Sequence, residues 1–77
     1  MAEIVYLSAD QSLPEEDAWL LLEEDQDGLF KTRSQHMTGS VQRHDVHHDK
    51  WPLKEAIEKA QNDAKIFAIP TIYVRRA

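Results

Sequence analysis

Apolar residues follow two different periods along this chain. At the start, Ile4 and Tyr6 alternate with Val5 and Leu7, so Glu3 to Ser8 reads as a strand apolar on both faces, with an expected place inside the sheet. Ser12-Leu13-Pro14-Glu15 matches a capping box, with Pro14 in the amide-poor first turn, and predicts that at least one helical turn starts there.

Residues 18–33 admit two readings. Trp19-Leu20-Leu21-Leu22-Glu23-Glu24 and Leu29-Phe30-Lys31-Thr32-Arg33 flank Asp27-Gly28, a strong hairpin signal. A helix over Leu13 to Asp25 would instead give β-α-β-β-α-β, the order of a ferredoxin-like fold. Helical spacing would point Ala18 to Leu22 in all directions, and a small two-layer domain cannot bury a helix all round, so the hairpin is preferred. Thr38-Gly39-Ser40 marks the next turn. Val41 to His47 follows as a polar, edge-like strand in which only Val41 and Val46 are aliphatic.

The second period begins near Pro52. Leu53, Ala56, Ile57, Ala60, Ala64 and Phe67 fall within an arc of about 100° on a helical wheel, which predicts an amphipathic helix. Ala60 and Ala64 allow close approach to a sheet, Leu53, Ile57 and Phe67 fill the ends, and Ile66 and Ile69 pack under the helix exit. Pro70 ends this helix. Thr71-Ile72-Tyr73-Val74-Arg75 is a last strand, parallel to and paired with the first at the sheet centre. The expected fold is α+β: one main helix on a mixed, mostly antiparallel four- or five-stranded sheet, in the order β-β-β-β-α-β. The 77 residues make one small domain, 1–77.

Composition narrows the function classes. Without cysteine there is no thiol chemistry, disulfide or zinc-thiolate site. The longest apolar run is far too short to span a bilayer, and Glu3 stands where an export signal would be basic. A soluble, cytoplasmic protein without membrane contact is expected. Net charge is −5, yet residues 1–30 hold nine acids and no Lys or Arg, while residues 31–77 hold nine bases and five acids. Bases scattered among acids argue against nucleic acid as a partner. Glu15, Glu16, Asp17, Glu23, Glu24 and Asp25 suggest an acidic surface that docks on a basic protein.

Arg43-His44-Asp45-Val46-His47-His48-Asp49 holds three of the four histidines. In an extended chain Asp45, His47 and Asp49 share one face and His44 and His48 the other, with alternate residues about 6.5 to 7 Å apart. Asp45 with His47 can chelate a divalent metal such as zinc or nickel, with His36 as third ligand if its strand lies alongside; a helical segment would pair His44 with His48. Otherwise these residues form a solvated strand end, with Asp49 capping the helix that follows. No other cofactor is expected. Nucleophile–base pairs and phosphate loops are missing from the sequence, and the two tryptophans read as core, Trp51 stapling the helix start.

Leu53-Lys54-Glu55-Ala56-Ile57-Glu58-Lys59-Ala60, following strands, is faintly similar to the β-β-β-α-β domains of HicB-type antitoxins. The likeness covers only the helix and lacks the Gly-Cys-rich segment found before it there, so no function is carried over. The expected function is therefore a non-enzymatic module that binds a protein, regulatory or inhibitory, through its acidic surface. Two alternatives stand beside it: a metal-binding or metal-sensing protein using His36, His44, Asp45, His47 and His48, and a homodimer joined through the polar edge strand or a helix face.

Overall fold

A computed structural model of the chain describes residues 1–15 and 17–77. In order along the chain it contains β1 (Glu3–Leu7), β2 (Trp19–Glu24), β3 (Phe30–Thr38), β4 (Val41–Trp51), α1 (Leu53–Phe67) and β5 (Thr71–Arg75). The five strands form one sheet in the order β1-β5-β2-β3-β4. The sheet is mixed: β5 lies parallel to both β1 and β2, and β2-β3-β4 is an antiparallel meander. This is the one-helix α+β arrangement of the preferred reading. The ferredoxin-like alternative is overturned, because Trp19–Glu24 is a strand.

That strand shows why the apolar run is unbroken. Leu20 and Leu22 point to the helix side, where they meet Phe30, Ile72, Val74, Ile69 and the alanine stripe Ala56, Ala60 and Ala64. Leu21 points the other way and packs with Leu7 and Tyr73 under half-buried Leu13, Val5 and Trp19. A central strand covered on both faces needs no polar alternation.

The two turns use glycine for its backbone. Gly28 has φ +77° and Gly39 φ +63°. The Gly39-Ser40 connection joins Thr38 to its cross-strand partner Val41, as in the two-residue hairpins whose first central residue takes positive φ. Asp25 organises the other turn. Its backbone N–H donates to the Leu29 carbonyl at 2.9 Å, and its carbonyl accepts from Gly28 at 3.2 Å.

Several local expectations are corrected. β1 lies at the sheet edge, with β5 between it and β2. Residues 11–15 form no helical turn; instead, Leu13 is drawn onto Leu7, Leu21 and Tyr73 as the chain crosses from β1 to β2. Asp49 does not cap α1. It belongs to β4, and the helix starts from Pro52 without a side-chain cap. Ile69 is buried as expected, but Ile66 is 64% exposed and Phe67 is 44% exposed.

The helix also ends before Pro70. Ala68 adopts a left-handed conformation, φ 55° and ψ 42°, and its N–H donates to the Ala64 carbonyl. Ile69 donates to the same oxygen at 2.8 Å. That conformation suits glycine and costs an L side chain about 1 kcal/mol. Ala68→Gly should therefore stabilise the fold by about 0.5 kcal/mol, net of the freedom Gly adds to the unfolded chain. A higher urea midpoint at unchanged slope is the expected reading.

Candidate functional site

β4 is eleven residues long, and every residue but its last is exposed. It closes the sheet on one side, pairing inward with β3. The ladder sets Thr32 opposite His47, Arg33 opposite Val46, Ser34 opposite Asp45, Gln35 opposite His44 and His36 opposite Arg43. Since opposed residues share a face, Arg43, Asp45 and His47 lie on the helix side with Ser34 and His36, while His44 and Val46 lie on the open side. Between Thr32 and Phe30 the register shifts: β3 advances two residues while β4 advances from His47 to Trp51. This bulge adds two residues, an even number, so face alternation survives it. Asp49 accordingly lines the same hollow as His47 and Trp51, a space of about 260 Å³ closed by Thr32 and by Lys59, Asn62 and Asp63 of α1. The Lys59 ammonium sits 4.1 Å from the centre of the Trp51 ring, a cation–π contact that fixes the strand's end to the helix.

The histidine segment is thus extended, as one of its two readings required, and His36 does lie alongside it. The His36 ring stacks on Phe67 with centroids 4.5 Å apart, which explains why an aromatic residue stands at the exposed end of α1. His36 Nδ1 lies 4.0 Å from Asp45 Oδ2. His44 and His48 face away from this pair. Among the described residues no group of three or more His, Asp or Glu side chains converges as a metal site would require.

The six acids of the expected docking surface have different surroundings. Glu15 and Asp17 are exposed, and Glu16 lies outside the described residues. The other three form ion pairs with bases from the second half of the chain. Glu23 accepts from Arg75 Nη1 at 3.1 Å, and the same guanidinium donates through Nη2 to the Gln11 carbonyl at 3.1 Å. Glu24 meets Arg76 at 3.6 Å and accepts from the Ala77 N–H at 2.9 Å. Asp25 pairs with Lys50 of β4. These three side chains are only 27%, 14% and 16% exposed. The acid-rich and base-rich halves of the sequence therefore neutralise each other where the strand order brings them together.

The Asp25–Lys50 pair titrates in a defined direction. The hydrogen bond from Lys50 holds the Asp25 carboxyl below its ordinary range against the opposing effect of desolvation; the Asp27 and Leu29 amides, donating at 2.9 and 3.2 Å, act in the same direction as Lys50. The Lys50 ammonium is raised by the same bond. A lowered carboxyl stabilises the fold above its unfolded pKa of about 4, and the contribution disappears as pH falls through the lower folded value. For Lys50 the stabilisation is complete below about pH 10 and is lost as pH rises through its raised value. Asp25→Asn should thus be less stable than the parent protein at about pH 7, with the gap closing towards about pH 2. Urea titrations of both proteins across that range test this.

Comparison with protein families, with curated proteins and with solved structures finds no match to this chain. No helix among the described residues is long and apolar enough to cross a membrane. The feature that sequence reading underused is the outer edge of β4. Its polar residues and its edge position were legible over Val41 to His47; that the strand continues to Trp51 was not.

Proposed function

We propose that this protein is a non-enzymatic binding module that receives another polypeptide along the outer edge of β4. The observation that carries this reading is an eleven-residue, exposed strand at the end of the sheet order. An edge strand presents a row of backbone donors and acceptors that an added strand can pair, while side chains on alternating faces supply selectivity. The acidic-surface version has less support, because Glu23, Glu24 and Asp25 are engaged by Arg75, Arg76 and Lys50. The metal version has two side chains within reach of each other, His36 and Asp45.

The test is selection of displayed random peptides on the immobilised protein, followed by amide NMR with a selected peptide. Strand addition predicts slowed exchange at alternate amides of residues 41–51. Shifts centred on Glu15 and Asp17 that vanish in high salt would overturn the edge reading in favour of the acidic surface.

A further inference from the structure

The charges along β4 are arranged as a self-complementary series, and from this we infer that the partner at that edge is a second copy of the same chain. The inference rests on the strand-addition reading and names its occupant. Two β4 strands related by a two-fold axis perpendicular to the sheet run antiparallel, and each residue keeps its face. Only residues of equal parity can then be opposed, so the axis must pass through one residue and its own counterpart.

Val46 is the midpoint of Val41–Trp51. With the axis there, all eleven residues overlap. Arg43 opposes Asp49 of the second copy, and Asp45 opposes its His47. His44 opposes His48, Val41 opposes Trp51, and Val46 meets Val46. Each unlike pair occurs twice, once on either side of the axis. The apolar residues also find one another: Val41 and Val46, 52% and 56% exposed in the single chain, gain an aromatic and an aliphatic partner.

Neighbouring registers lose this match. An axis at Asp45 opposes Asp45 to itself and Arg43 to His47. An axis at His47 opposes Asp45 to Asp49 and His44 to Lys50. Axes at His44 or His48 recover an attractive pair but overlap only seven residues of the strand. Charged residues on an edge usually deter pairing. Here their order disfavours the registers next to the full-length one, and the registers that keep an attractive pair give up four residues of overlap, which is selection of a partner rather than avoidance of partners.

Sedimentation of the untagged protein between about 1 μM and 1 mM, a range that spans weak to moderate association, should show a mass approaching twice 8.9 kDa. His47→Glu sets two carboxylates against Asp45 on each side of the axis and should weaken the dimer roughly tenfold. Adding Asp45→Lys to that variant restores unlike pairs and should recover the dimer. Both positions are exposed in β4, and circular dichroism checks that each variant is folded. The chain has no cysteine, so Val46→Cys provides an independent reading. Mild oxidation should link it to itself, since directly opposed positions approach disulfide distance. Gln42→Cys, which would face Lys50, should remain unlinked.

A monomer throughout the concentration range overturns the second-copy inference, as does a dimer indifferent to His47→Glu that fails to link through residue 46. In either case peptide protection at residues 41–51 would still sustain the edge reading, whereas loss of that protection as well would remove both.

Discussion

Replacing Leu22 by Ala is expected to remove about 3 to 4 kcal/mol of stability. Leu22 is fully buried in β2 and packs with Leu20, Phe30, Ile72, Val74 and the helix alanines. Truncation loses the transfer free energy of the removed carbons and leaves a cavity. Partners held in hydrogen-bonded strands, and a helix whose fully buried line is alanine, can close that cavity only in part. A domain of this length has roughly 4 to 12 kcal/mol in total. The melting temperature should accordingly fall by about 15 to 20 °C. Ile66→Ala, which removes carbons from a side chain 64% exposed on α1, should change it by less than about 3 °C. Urea or thermal unfolding of the two variants side by side gives the comparison, and equal losses would show that the core is not where the packing places it.

Ala60→Leu should cost about 2 to 3 kcal/mol for the opposite reason. Ala56, Ala60 and Ala64 lie four residues apart and are all but fully buried, so they form the line along which α1 rests on the sheet. Three added carbons at the middle of that line have nowhere to go unless the helix lifts from β2 and β3. Leucine is nearly as good a helix former as alanine, so loss of helix propensity cannot account for a loss of that size. Glu58→Leu, on the exposed face of the same helix, is the control and should change stability by less than about 0.5 kcal/mol. Chemical denaturation distinguishes them.

Much of the architecture was legible because it is encoded in faces. The 3.6-residue stripe from Leu53 to Phe67, the Asp27-Gly28 hairpin and the Gly39 turn each report what lies above or below the chain, and each appears where the pattern put it. What lies beside an apolar strand has no such signature. Ile4, Val5 and Leu7 are apolar on both faces, yet β1 is an edge, and Tyr6 is 61% exposed. Ser12 to Glu15 holds good local signals for a helix start. Only Leu13 was available to anchor one, and contact with Leu7, Leu21 and Tyr73 prevailed.

The candidate site was hidden for the same reason. The acids of residues 23–25 suggested a docking surface, because nothing in their spacing reveals that β5 inserts next to β2 and brings Arg75 to Glu23. The order of charges along β4 was on view from the start. It acquired meaning once the strand was known to run to Trp51, which places its midpoint at Val46.

The strand order also bears on how the protein is made. β5 is the last strand to be synthesised of the five, and it occupies the place between the first two. While the chain emerges from a ribosome, β2, β3 and β4 can zip up from their hairpins, but β1 has no neighbour to pair with. The flank of β2 remains open until residues 71–75 are free. Completion of the sheet must wait for those residues, with the side of Leu20 and Leu22 that meets Ile72 and Val74 uncovered in the interval. A chain cut short before Thr71 would lack the strand that joins β1 to β2 and should not complete the sheet.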